Sequence, residues 1–196
     1  MPAENDGTVV EYAGQKYYDL KINGSSWKLP LVKVADDTWI AYFDSLGDVK
    51  LVESCASAMA DRMRDCEILL TSESKGIALT HEIAKRLGHD SFVVCRKEVK
   101  QSMINPLVAK YKPITSSKEL SLCIDSRFAE MISGKRVGLV DDIVSTRATI
   151  DAMEKLVKAA GGTVVKKAAI LLEGRVQPDI ISMGILPVFK AKKGAR

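Results

Sequence analysis

In VGLVDDIVSTRATI, residues 137–150, two adjacent acids close a short apolar run. Asp141 and Asp142 are followed by three hydroxyls, Ser145, Thr146 and Thr149, and then by residues at helical spacing. A hydroxyl loop between a strand and a helix suits an anion. The first-turn N–H groups have no partner within the helix, and the helix dipole is positive there. The carboxylates would repel that anion if they faced it. They suit another part of the same ligand, one rich in hydroxyl donors, such as a sugar diol. Acids and loop lie three to eight residues apart through a turn, a gap on the order of 5–10 Å. That matches the reach from a ribose diol to its 5-phosphate, so the chemistry these residues suggest is binding of a ribose 5-phosphate group. A plainer alternative is that the acids merely end a strand while Ser145 or Thr146 caps a helix. Neither G-x-x-x-x-G-K-[ST] nor G-x-G-x-x-G occurs, so the P-loop and dinucleotide fingerprints are absent.

The elements that must position these residues follow from periodicity. In the first third, KYYDLKI alternates, NGSS turns, WKLPLVKV returns and TWIAYF adds a short run, which implies antiparallel strands. Residues 49–65 carry apolar side chains at helical spacing. Strand and helix then alternate: CEILLT (66–71), helix 77–88, SFVVCR (91–96), RVGLVD (136–141), helix 148–162 and TVVKKAAILLE (163–173). Continuous Val, Ile and Leu runs separated by single helices imply a parallel sheet covered on both faces. Ligands of such sheets bind at the carboxyl ends of the strands. That rule selects three loops: residues 71–76, 96–120 and 141–149. The middle one shows little periodicity and reads as a lid. Ser74, Lys75 and Gly76 offer amides and a cation to a second anion, and Arg96 and Lys97 stand at another strand end.

Bulk properties narrow the class. A chain of 196 residues can bury a substantial core as one domain. With 46% apolar residues, 28% charged residues and a net charge of +4, it has the balance of a globular protein. That charge suits a small anionic ligand better than nucleic acid. The four cysteines are dispersed with no C-x-x-C pair, as expected of reduced thiols. The polar, acidic N-terminus is unlike a secretory signal, and no apolar run approaches the roughly 18 residues of a membrane helix.

VGLVDDIVSTRAT resembles the phosphoribosyl pyrophosphate (PRPP) motif of type I phosphoribosyltransferases, an apolar strand, D-D and a T-G-G-T-like loop. Arg147 and Ala148 stand where that loop has glycines. The resemblance implies that Asp141 and Asp142 hold the ribose hydroxyls, and that Ser145, Thr146, Arg147, Ala148 and Thr149 hold the 5-phosphate. If residue 147 needs positive φ, a side chain there costs about 1–2 kcal/mol. A guanidinium bonded to phosphate would return roughly 1.5–3 kcal/mol. The alternative for Arg147 is a solvent-facing side chain.

The stretch at Glu73, Ser74, Lys75 and Gly76 is similar to the E-x-R/K-G-I/F segment of adenine phosphoribosyltransferases. That likeness implies pyrophosphate binding and a non-proline cis peptide between residues 72 and 75. VVCRK resembles their V-R-K and adds Arg96 and Lys97. IAYFDSLGD resembles the hood over the adenine ring, with Tyr42, Phe43 and Ile143 on the base side. Residues 98–119 resemble the flexible flap, with Lys110 and the catalytic candidate Tyr111 nearest the chemistry. The flap's usual glutamate–tyrosine pair falls on Ile114 and Thr115, which leaves Glu119 as the substitute acid.

The implied fold is α/β, a mainly parallel twisted sheet flanked by helices with a small N-terminal antiparallel hood. Residues 1–48 would form the hood, 49–190 the PRPP-binding core and 191–196 a basic tail. The implied activity converts adenine and PRPP to AMP and pyrophosphate. Mg²⁺ would be carried by PRPP, with no direct metal ligands. The implied protein is a cytoplasmic homodimer with neither membrane nor nucleic-acid partners. Two alternatives stay open: a PRPP-sensing regulator with little turnover, and an oxopurine (xanthine-type) enzyme.

Overall fold

The computed structural model describes residues 8–112 and 119–192. Its centre is a parallel sheet built from β5 (Ile68–Ser72), β6 (Val93–Cys95), β9 (Arg136–Val144), β10 (Thr163–Glu173) and β11 (Ile181–Leu186). The order is β11-β10-β9-β5-β6, and every neighbouring pair is parallel. Period-two alternation sends successive side chains to opposite faces. Leu69 of β5 and Val140 of β9 enter one core, shared with α1 (Val49–Ala60) and α2 (Gly76–Leu87). Leu70 and Leu139 enter the other, shared with α3 (Ser126–Ile132) and α4 (Ala148–Ala159). Burial on both faces explains why these strands read as unbroken apolar runs.

A second sheet, ordered β1-β12-β4-β3-β2, forms the hood. Its strands are β1 (Val9–Tyr12), β2 (Tyr17–Ile22), β3 (Ser25–Ala35), β4 (Thr38–Ala41) and β12 (Val188–Ala191). Asn23 and Gly24 both have positive φ between paired Ile22 and Ser25, as a two-residue hairpin requires. The hood is not confined to residues 1–48. β12 runs parallel to β1 and antiparallel to β4, so chain expected to close the core and begin the tail completes the hood instead. Residues 193–196 of the expected tail lie outside the described residues. Asp48 ties hood to core: one carboxylate oxygen accepts from Leu51 N at the start of α1, and the other from the Trp27 indole at 2.8 Å.

Residues 96–120 differ from the irregular loop expected. They contain β7 (Leu107–Tyr111), which pairs antiparallel with β8 (Leu120–Ile124). Arg96 and Cys123 exchange backbone hydrogen bonds at 2.8 Å and fix the base of this hairpin to the end of β6. Ala109, Leu122 and Ile124 pack into the same core as α4. The alternation in LVAKY is incomplete because only Ala109 is fully buried there. Ile114 and Thr115, the positions expected for the flap's acid pair, lie outside the described residues.

Candidate functional site

The carboxyl ends of β5 and β9, together with the hairpin, enclose a cleft of about 340 Å³, within the size range of small-molecule sites. Asp141 and Asp142 form its floor, the Ser72–Lys75 segment one wall, and Lys97, Tyr111 and Ser121 the other sides. Asp141 is 6% exposed, and its Oδ1 accepts from Asp142 N at 3.0 Å. Burial, and secondarily the charge of Asp142, pushes its pKa well above the usual carboxylate range. Burial also raises Asp142, against the pull of the Ile143 N–H and the Lys75 charge. Such a pair is poised to accept hydroxyl donors or share a cation. Ile143 lines both this cleft and a second, smaller cavity.

That second cavity, about 130 Å³, lies under the turn into α4 and is lined by Ser145, Thr146, Arg147, Ala148 and Thr149, with Asp141 at its edge. No side chain caps α4. The first-turn amides are therefore left to whatever occupies the cavity. Arg147 does have positive φ, 70°, as a glycine-like turn demands. Its guanidinium is largely covered and paired within the protein. It forms two 2.8 Å bonds to the carboxylate of Asp179 and a 3.1 Å bond to Gln177 Oε1. The guanidinium expected to face phosphate is thus engaged by Asp179 and Gln177, and Arg147 meets the cavity as part of the turn that lines it. Burial pushes the nearby Glu173 carboxyl up, and the Ser145 hydroxyl pulls it partly back.

At the loop into α2 the Glu73–Ser74 peptide is cis, inside the expected interval. Ser74 is exposed on the cleft wall. Gly76 opens α2 where a Cβ would stand 2.4 Å from Thr71 Oγ1 and 3.2 Å from Asp141 Cα. Only a residue without a side chain lets the helix start this close to the acids. Glu73 accepts from Lys97 N at 2.7 Å and from Arg96 at 3.0 Å, and these bonds, led by the Lys97 N–H, hold its pKa down. Arg96 is thus paired, while Lys97 lines the cleft. Lys75 turns to the hood. Its Nζ donates to the Phe43 carbonyl at 3.3 Å, lies 3.7 Å from Asp44 and sits 5.1 Å from the centre of the Tyr42 ring.

Tyr42 is half exposed and donates its hydroxyl to Asp44 at 3.3 Å. Phe43, expected beside the base, is 3% exposed and packs in the core, so only its carbonyl reaches the site. Glu119 pairs with Lys110 at 2.9 Å and does not line the cleft, whereas Tyr111 does. Sequence reasoning missed Ser72 and Ser121 in the cleft and Gln177 and Asp179 behind the small cavity. Ser72 lies inside the 71–76 loop that the strand-end rule selects, but Gln177 and Asp179 stand in VQPD, a segment without periodicity. Among the described residues no group of three or more His, Cys, Asp or Glu side chains could hold a metal, and no helix is long and apolar enough to cross a membrane.

No family model matches the chain. It is 31% identical over 134 residues to a xanthine phosphoribosyltransferase of Chloroflexus aurantiacus, covering 66% of this chain and 61% of the relative. It is 30% identical over 115 residues to an adenine phosphoribosyltransferase of Thermotoga petrophila, covering 59% and 64%. The chain thus spans less than two thirds of the length of either relative. The crystal structure of adenine phosphoribosyltransferase from Thermoanaerobacter pseudethanolicus superposes with a TM-score of 0.66 at 27% identity, over 80% of this chain and 95% of that one.

Proposed function

For a chain that belongs to the type I phosphoribosyltransferase family, as this one does, we propose transfer of the phosphoribosyl group of PRPP to N9 of adenine with release of pyrophosphate. One observation carries the reading: paired carboxylates stand between an anion cavity at a helix start and a second helix-starting loop beside Lys97. The 5-phosphate takes the cavity, held by the first amides of α4 and the hydroxyls of Ser145, Thr146 and Thr149. The ribose diol donates to Asp141 and Asp142. Pyrophosphate meets Lys97, the Glu73–Gly76 segment and Lys75 once that side chain leaves the hood. Tyr42 and Ile143 flank the base.

As the glycosidic bond to pyrophosphate lengthens, positive charge builds on the ribose ring above Asp141 and Asp142. Negative charge grows on the leaving group beside Lys97 and the loop amides. Catalysis is then positional and electrostatic. Tyr111 on the hairpin shields the ring from water. The donor set fits Mg²⁺ held mainly by pyrophosphate oxygens and water, with Asp141 and Asp142 the carboxylates facing it. The ion would neutralise charge on the leaving group.

Homodimer formation is supported by an apolar groove of about 710 Å³ between residues 45–49, α1 and α2, where Val49 is 75% exposed. Function in the cytoplasm accords with the buried free thiols. A second reading, PRPP sensing with little turnover, draws on Arg96 and Glu119 being paired away from the cleft. Pyrophosphate release with PRPP, Mg²⁺ and adenine, hypoxanthine, guanine or xanthine separates the readings. Release with adenine alone is expected. Release with xanthine instead indicates the oxopurine enzyme, and tight PRPP binding without release indicates the sensor.

A further inference from the structure

The backbone at Arg147 has φ 70° and ψ −6°, a left-handed conformation that residues with side chains rarely adopt. Two groups from the segment after β10 hold it there. Asp179 grips the guanidinium through two parallel 2.8 Å bonds, the bidentate geometry that fixes direction as well as distance. Gln177, 4% exposed, accepts from the same guanidinium at 3.1 Å. It turns its amide to the carbonyls of Val144 at 3.3 Å and Ser145 at 3.1 Å. The turn is thus held on both sides by Gln177 and Asp179, neither of which lines the cavity.

We propose that Arg147 is a positioning residue. Clamped by Asp179 and Gln177, it stands in for a glycine and keeps the amides of residues 145–149 aimed at the phosphate without its guanidinium touching the ligand. The inference rests on the reading that this loop takes the 5-phosphate. It separates two jobs that a lone arginine in an anion loop invites one to merge: charge toward the ligand and shape of the turn.

The test compares Arg147→Ala, Arg147→Gly, Asp179→Ala and the double variant Arg147→Gly with Asp179→Ala, in the full chain with PRPP and Mg²⁺. Arg147→Ala and Asp179→Ala each raise KM for PRPP roughly 10- to 100-fold with a smaller change in kcat, because the amides lose their aim. Arg147→Gly recovers most of the loss seen in Arg147→Ala, since glycine takes positive φ without a tether. Asp179→Ala adds nothing in the Arg147→Gly background. The proposal is overturned if Arg147→Gly is as weak as Arg147→Ala while Asp179→Ala matches the wild type, because the guanidinium would then act on phosphate itself. Hydrogen exchange at residues 145–149 reads the clamp without ligand. Asp179→Ala speeds it in the Arg147 chain and not in the Arg147→Gly chain; equal protection in all four proteins overturns the clamp. A wild type that ignores PRPP but shows this exchange pattern refutes the functional reading and leaves the clamp standing.

Discussion

Two loops on one sheet edge start helices in the same manner and secure their cations differently. Beside the Ser72–Gly76 loop, Lys75 sits 3.7 Å from Asp44 and Arg96 3.0 Å from Glu73, with half of the Arg96 side chain exposed. Pairs that wet contribute little, typically below about 1 kcal/mol, so a highly charged ligand can exchange them for itself. At the turn into α4 Asp179 is also half exposed, but Arg147 is bidentate to it and backed by buried Gln177. A ligand cannot cheaply displace that. The first loop therefore offers mobile charge, and the second offers fixed amides. This division suits a donor whose 5-phosphate stays in place while its pyrophosphate leaves.

The sharpest way to break the comparison is to remove the acids that stand between the loops. Asp142→Asn is expected to lower kcat by about 100-fold or more, since the charge facing the developing cation is lost, with the fold intact and a small gain in thermal midpoint because burial raises this carboxyl too. Asp141→Asn is expected to lose turnover similarly while gaining stability. Folding raises the Asp141 pKa above its ordinary 3.8, so the folded state binds that proton more tightly and stability falls as pH rises through this window. Asparagine carries no charge to bury, so near neutral pH a gain of about 1 kcal/mol in chemical denaturation follows. A loss of stability there would contradict the burial argument.

Smaller effects separate the loops. Lys75→Met should weaken PRPP binding by about 10-fold, the size of one charged contact. Asp44→Asn should do the reverse and tighten it a few-fold, on the order of 0.5 kcal/mol, because Lys75 is released from the hood. Weaker binding in Asp44→Asn, measured by calorimetry, would mean the hood contact positions Lys75 rather than competing for it. A separate effect, on stability rather than on binding, is at Asp179, whose pKa the Arg147 bond holds down at about 2. A depressed carboxylate stabilises above its unfolded pKa and loses that contribution as pH falls from about 4 toward 2. Asp179→Asn should flatten that part of the acid-unfolding profile, and an unaltered profile would show the pair to be energetically silent.

What could be read in the sequence was what local pattern encodes. Val137–Val140 ahead of two acids announced a buried strand reaching the site, and Gly88 announced the end of α2. Phe43 was misplaced although the alternation was present: Ala41 and Phe43 are buried and Tyr42 between them is exposed. The period of two deserved more weight there than the likeness of a motif. β12 was unreadable because its partner, β1, pairs Val9 with Val188 across nearly the whole chain. The Arg147 clamp was hidden for the same reason, since Asp179 lies 32 residues away in an aperiodic segment. Long-range pairing leaves no local spacing to detect.

The most direct test of the central claim is a crystal structure of the protein soaked with AMP. The 5-phosphate should occupy the 130 Å³ cavity on the amides of residues 145–149, with the ribose hydroxyls on Asp141 and Asp142 and the Arg147–Asp179 pair intact. A nucleotide bound with that cavity empty, or with its ribose away from both acids, would contradict it.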